Sequence, residues 1–289
     1  MRMIRKIYCR TFQFVFKMAL PVLPYRNPKI LPSVAGITDA CRRKGIDSVM
    51  IVTDAGIRGL GLTEFLEKCL REQGISYCIY DRTVANPTIW NVEEAREMYL
   101  EHGAQAIIAF GGGSSMDCAK AAGARIVKPR QSIRQMKGLL KVHKKLPLLI
   151  AVPTTAGTGS ETTLAAVITD SEKHYKYPIN DFSLIPRYAV LDYHETLGLP
   201  KQITATTGMD ALTHAVEAYI GGSTTKETRQ MAEEAVHLIY QYLKAAYDNG
   251  QDKEARTGML KAAYCAGVAF TKSYVGYVHA DPKTSSGYL

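Results

Sequence analysis

Residues 105–127 read QAIIAFGGGSSMDCAKAAGARIV, and this stretch decides the fold. Gln105 to Phe110 is a short, nearly all-apolar run, the pattern of a strand buried on both faces. It enters Gly111-Gly112-Gly113 without a break, and Ser114 to Val127 then reads as a helix. A buried strand passing through glycines into a helix is the first half of a strand–helix–strand unit, and such units build parallel sheets.

The same rhythm extends in both directions. Upstream, Ser48 to Thr53 is a strand; Leu62 to Gln73 is a helix with apolar residues at Leu62, Phe65, Leu66, Cys69 and Leu70, and Gly74 stops it. Ile75 to Tyr80 is the next strand, and Asn91 to His102 the next helix, closed by Gly103. Downstream, Leu146 to Val152 is a further strand, and Thr163–Asp170 and Tyr188–Asp192 have strand character. Lys128 to Lys145 is basic and irregular, and is expected on the surface. After Pro200 the pattern turns helical, over Thr206 to Ile220, Lys226 to Tyr247 and Lys253 to Tyr277. Ala232, Val236, Ile239, Leu243 and Ala246 form one stripe of the second helix. The expected architecture is α/β: a parallel, doubly wound nucleotide-binding domain over 1–199, then an all-helical domain over 200–289.

Composition fits a globular chain: 46% of the 289 residues are hydrophobic and 22% charged, enough for a large core. No apolar run reaches the roughly 18 residues of a membrane span. The net charge of +9 is uneven. Arg2, Arg5, Lys6, Arg10, Lys17, Arg26 and Lys29 fall within residues 1–30, which hold no acid, so the body is nearly neutral and nucleic-acid binding is not indicated. Phe12, Phe14, Val15, Phe16 and Leu20 alternate with those cations. A membrane-surface helix is one reading. The expectation is a docked segment that buries its aromatics and ends in an extended stretch at Pro21, Pro24 and Pro28. Lys17 interrupts the apolar region and argues against a signal peptide. The cysteines, Cys9, Cys41, Cys69, Cys78, Cys118 and Cys265, form no C-x-x-C pair and read as reduced thiols of a cytoplasmic protein.

Three motifs carry chemistry. The glycine run allows close approach of a bulky anion, and the helix behind it offers unpaired N–H groups and a positive dipole end; a pyrophosphate fits here, and a plain turn is the alternative. It is not the G-x-G-x-x-G fingerprint, and neither is Gly56 to Gly61. Pro153-Thr-Thr-Ala-Gly-Thr-Gly-Ser-Glu161 is a hydroxyl-rich loop at the C-terminal edge of the sheet, where open α/β folds bind ligands; a polar capping loop is the alternative. In Thr206 to Tyr219, Asp210 and His214 stand four apart and share one helix face, as a divalent-metal pair or as a simple helix ion pair. His279 is a third potential ligand. His102, His143, His174, His194 and His237 lack such settings and read as surface residues.

In the order and spacing of these motifs, and in Ala266-Gly-Val-Ala-Phe270 leading to Val275-Gly-Tyr-Val-His-Ala280, the chain resembles the iron-containing alcohol dehydrogenases from about residue 30 to residue 280. The resemblance implies a nucleotide-binding domain and a helical metal domain with the active site between them. It places Gly112, Gly113, Ser114 and Asp117 on the pyrophosphate loop, and Thr154, Thr155 and Thr158 around the ribose and nicotinamide. Asn86 and Lys176 fall on further cofactor contacts, and Asp54 beside the adenosine ribose. Asp210, His214 and His279 match three of the four metal ligands and stand as the catalytic set. The implied activity is hydride transfer between NAD and a primary alcohol or aldehyde, with Fe2+ (or Zn2+) as metal. A glycerol-dehydrogenase-like enzyme and an impaired nucleotide-binding remnant are the alternatives. Where the family continues with a second histidine and a Pro-His-Gly, this sequence departs at Asp281. The helical domain is therefore expected to be truncated, to hold metal weakly and to support little turnover. A homo-oligomer is the expected assembly, with neither nucleic acid nor membrane as a partner.

Overall fold

Strand β4 (Ala106–Gly111) is buried at every residue, so it must lie in the middle of a sheet covered on both faces. In the computed structural model, which describes Thr11 and residues 23–273, it does. Its neighbours are β2 (Ser48–Val52) and β6 (Leu148–Pro153). The sheet is completed by β1 (Lys29–Leu31), β3 (Ser76–Tyr80) and β9 (Tyr188–Val190), in the order β1-β9-β6-β4-β2-β3, with every pair parallel. The chain steps outward from β2 to β3, then returns to the other side of β2 with β4. The order therefore reverses between the C-terminal ends of β2 and β4, which opens a crevice there.

Alternate residues of each central strand feed two separate cores. On one face Met50, Val52, Ile107, Ala109, Leu149 and Ala151 pack with helices α4 (Ile89–Glu101) and α5 (Gly113–Val127). On the other, Val49, Ile51, Ala106, Ile108, Phe110, Ile150 and Val152 pack with α1 (Gly36–Arg42) and α3 (Glu64–Glu72). Each fully buried Val, Ile or Phe side chain contributes roughly 1.5–3 kcal/mol, so the period-two split is what holds the layers together.

The structure adds to or departs from the sequence reading in four places. Thr163–Asp170 does form a strand, β7 (Ala165–Asp170), but outside the main sheet. It pairs antiparallel with β8 (Tyr175–Asn180), and β5 (Gly138–Leu139) joins β8 in parallel. Pro178 lies within β8, which hid that strand from a sequence reading. Lys128–Lys145 is not simply surface: Ile133, Met136 and Val142 are buried, because each contributes an isolated apolar side chain from a basic stretch to the core. Gly56 to Gly61 opens in the short helix α2 (Ala55–Gly59). Of the histidines read as surface residues, His102 is half-buried and meets the Ser76 hydroxyl at 3.0 Å, and the other four are exposed. The N-terminal segment before residue 23, apart from exposed Thr11, and residues 274–277 of the last helix read in the sequence lie outside the described residues.

Past Pro200 come α6 (Lys201–Ile220), α7 (Lys226–Asp248) and α8 (Lys253–Ser273). Thr225 opens α7 with a capping box, its hydroxyl accepting from the Thr228 N–H. The stripe read in the sequence faces inward: Ala232 is buried beside Ala218 and Ala269, while Ile239 and Ala246 are buried in the main helical cluster, against which Val236 and Leu243 pack. Ala156 and Ala189 from the sheet side belong to this cluster too, so the helices are seated on the sheet's C-terminal loops.

Candidate functional site

Register between β4 and β6 sets the site. Gly111 pairs with Pro153, so the two strands end level and release their loops side by side. The Thr154 N–H then donates to the Gly111 carbonyl at 3.1 Å. Gly112 caps α5 without a side-chain hydrogen bond, and the first turn holds no acid, which leaves N–H donors and the positive helix end facing the crevice. A Cβ on Gly113 would stand 3.1 Å from the Thr158 methyl, and one on Gly112 3.6 Å from the Thr155 hydroxyl. A Cβ at Gly113 would press on Thr158, while one at Gly112 would make ordinary contact; bare glycines here let a bulky anion such as a pyrophosphate approach the helix end closely.

Beyond β2, Asp54 caps α2 by accepting from the Ile57 N–H at 3.0 Å, and its second oxygen accepts from the Ser115 hydroxyl at 3.4 Å. Asp54 thus stands at the switch-point crevice, held by both adjoining helices. On the other flank, Asn86 adopts a left-handed conformation (φ 58°). Its N–H donates to Ser114 Oγ at 3.2 Å and its side-chain oxygen accepts from Lys176 Nζ at 2.7 Å. Asn86, Ser114 and Lys176, read from three distant stretches of sequence, meet at one rim of the cradle.

The threonine loop connects this cradle to the helices. Gly159 (φ +60°) lies against α8, where an added Cβ would stand 2.7 Å from Gly267 Cα. Gly157 lies against α6, where a Cβ would stand 2.7 Å from the Thr207 carbonyl, one turn before Asp210. Asp210 is half-buried, and His214 is buried and stacks on Phe270 with ring centroids 4.5 Å apart. An imidazole and a carboxylate on one helix face match the donor set for a divalent ion. Among the described residues no three potential ligands converge, and His279 lies outside them.

Sequence reasoning placed Asp117 on the pyrophosphate loop and missed Lys120 and Glu161, which are buried behind the threonine loop. Lys120 is fully buried, with Nζ donating to Ser160 O (2.7 Å), Ser160 Oγ (3.0 Å), Thr163 O (3.0 Å), Thr163 Oγ1 (2.9 Å) and Ala165 O (2.9 Å). Burial pushes its ammonium down to about 8, opposed by the carboxylates of Asp117 and Glu161, and three carbonyls around Nζ, which can only accept, match the three donors of an ammonium. Asp117 accepts from the Ser160 hydroxyl (3.0 Å) and the Val167 N–H (3.0 Å). One oxygen thus faces the threonine loop and the other β7, and burial raises its carboxyl above the usual range. Glu161 is pushed up to about 7 by burial. The available signal was a single lysine in an alanine-rich helix, three residues after Asp117 and so on the same face.

Comparison with known proteins gives a consistent picture. The family model described as "Iron-containing alcohol dehydrogenase" matches residues 32–193, and "Fe-containing alcohol dehydrogenase family, C-terminal" matches 204–287. The chain is 40% identical over 247 residues to "Alcohol dehydrogenase 4" of Schizosaccharomyces pombe, covering 86% of this chain and 58% of that protein. It is 40% identical over 236 residues to the "NAD-dependent methanol dehydrogenase" of Bacillus methanolicus, covering 82% and 62%. The solved structure of a 1,3-propanediol oxidoreductase superposes with a TM-score of 0.84 at 35% identity, over 89% of this chain and 68% of that one. The chain therefore spans about three fifths of the length of these two curated relatives.

Proposed function

The chain belongs to the iron-containing alcohol dehydrogenase family, and on that premise we propose that it transfers hydride between NAD(H) and a primary alcohol or aldehyde with the help of a divalent metal. One observation carries the reading: a single threonine loop touches the glycine cradle at Gly113 and the Asp210 helix at Thr207. A dinucleotide in the cradle and a metal on that helix would thereby face one another across that loop.

The chain's own residues divide the work. The N-terminus of α5, with Gly112, Gly113 and Ser114, receives the pyrophosphate. Because Ser114 Oγ accepts from the Asn86 N–H, its own hydroxyl hydrogen is free to donate to a phosphate oxygen. Thr154, Thr155 and Thr158 orient the ribose and nicotinamide, and Lys176, steadied by Asn86, adds a cation at the rim. Asp54 accepts from an adenosine ribose hydroxyl and repels a phosphate in that place, which favours NAD over NADP. Asp210 and His214, with His279, would hold Fe2+, or Zn2+ in its place. When bound, such an ion supplies Lewis-acid polarisation of the substrate oxygen, and the nicotinamide supplies the hydride chemistry. His214, stacked on Phe270, has its ring plane set before any ligand arrives.

In this proposal the domain boundary lies near residue 200, between the two matched stretches, and the enzyme is cytoplasmic and homo-oligomeric. No described helix is long and apolar enough to cross a membrane. The test is fluorescence titration with NADH, together with metal analysis after dialysis and alcohol oxidation followed by NADH absorbance. Absence of NADH binding overturns the reading. A chain that binds NADH yet retains no metal and oxidises no alcohol is a nucleotide-binding remnant of the family instead.

A further inference from the structure

Burying a lysine ammonium completely is costly, and packing α5 on its neighbours needs no charge there. Yet Lys120 is fully buried, and its three N–H donors are shared among five oxygens, all within Ser160–Ala165. Three of the five are main-chain carbonyls, so the segment is folded around the ammonium much as a loop folds around a bound cation. This segment follows Thr154–Gly159 directly.

We propose that Lys120 is a positioning residue of the cofactor site, its ammonium holding the threonine loop in the form that receives the nucleotide. Three positions on successive turns of α5 make the connection. Ser114 lies at the cradle, Asp117 one turn on accepts from the Ser160 hydroxyl and the Val167 N–H, and Lys120 a further turn on fills the oxygen cage. The helix that begins at the glycine run is thus fastened to the loop that faces it, so cradle and loop keep a constant gap. Without the cation, the carbonyls of Thr163 and Ala165 would lose the ammonium that donates to them, and that of Ser160 would keep only the Thr163 N–H at 3.3 Å and the Thr163 hydroxyl. The loop would have to turn outward to reach water, carrying Thr158 away from Gly113. This rests on the cofactor reading above, and its test separates the two.

The experiment compares wild type with Lys120→Met, Lys120→Arg and Lys120→Ala, measuring NADH affinity by fluorescence and amide hydrogen exchange over residues 154–163 in the absence of nucleotide. Lys120→Met is expected to weaken NADH by at least about tenfold and to speed exchange in that segment while β2 and β4 keep wild-type rates. Lys120→Ala removes a propylammonium's worth of side chain. Added propylammonium is expected to restore affinity and slow exchange, and 1-propanol, of like shape but neutral, is not. NADH affinity within about twofold of wild type in Lys120→Met, with unchanged exchange, overturns the proposal. Rescue by propanol as complete as by propylammonium also overturns it, since the lysine would then only fill space. If no Lys120 variant folds, Ser160→Ala serves: it removes the hydroxyl between Lys120 and Asp117 and is expected to weaken NADH about threefold or more with melting near wild type, whereas unchanged affinity and exchange refute the proposal. If wild type binds no NADH, the cofactor reading falls, and exchange over 154–163 decides the anchoring role by itself.

Discussion

Single side chains at the cleft serve two purposes, and variants must respect both. Asp54 holds α2 through the Ile57 N–H as well as facing the crevice, so Asp54→Asn, which keeps an accepting oxygen, is the clean test of cofactor choice. Wild type is expected to favour NADH over NADPH by more than about tenfold, and Asp54→Asn to narrow that gap without lowering the melting temperature; equal titration of both cofactors by wild type would falsify the assignment. Gly113→Val places a branched side chain where a Cβ alone already stands 3.1 Å from Thr158. NADH binding should collapse while circular dichroism keeps the wild-type helix signal. Away from the cleft, burial and the neighbouring Asp192 push the Glu195 carboxyl up to about 7. A carboxyl raised on folding binds more protons in the native state, so its effect is a loss of stability as pH climbs from about 4.3 to about 7, with no further loss above. Glu195→Gln should therefore gain on the order of 1–3 kcal/mol over wild type at pH 8 and nothing at pH 4, read from denaturant melts at the two values.

Elements meet here through glycines. Gly267 on α8 touches the threonine loop closely enough that a Cβ would stand 2.8 Å from the Gly159 carbonyl. Gly267→Ala forces loop and helix apart, at a cost of roughly 1–3 kcal/mol in an already packed contact. Because the same loop faces Gly113, NADH affinity should fall together with the melting temperature. A variant that melts early but binds NADH normally would show that α8 only supports the loop from behind. The sequence offered Gly267 as one residue in an apolar helix and the threonine loop as a hydroxyl-rich stretch, 108 positions apart between Gly159 and Gly267. Neither hinted at the other, because close approach of two backbones leaves no compositional trace beyond the glycines themselves.

For the molecule as a whole, the sheet side and the helices share one loop, and the proposed hydride transfer needs a nucleotide on one side of it and a metal on the other. Asp210→Asn, which keeps the shape of the side chain and removes its charge, should lower metal retained after dialysis by at least about tenfold while NADH affinity stays near wild type. Parallel loss of NADH would mean that the helix and the cradle are coupled through Thr207 and Gly157 more tightly than their contact suggests. The isolated sheet region should be hard to obtain, since Ala156 and Ala189 contribute to the core of the helices.

Much of this was legible in the sequence, for physical reasons. Strands buried on both faces must be continuously apolar, so β2, β4 and β6 announced themselves together with the parallel sheet. Glycines and hydroxyls after those strands marked the side where we propose the cofactor, and Asp210 with His214 at helical spacing the side where we propose the metal. Tertiary structure alone decided what lies between. Nothing in the sequence marked Lys120 as buried, because burial of a charge depends on the acceptors that fold around it. Strand β8 went unseen because Pro178 disguised it, and its pairing with β7 in a separate sheet depends on backbone register rather than residue type. The meeting of Asn86, Ser114 and Lys176 likewise follows from where three loops end, which local pattern does not encode. Local periodicity determined the elements and the kinds of chemistry they carry, and packing determined which of those residues can act on one ligand.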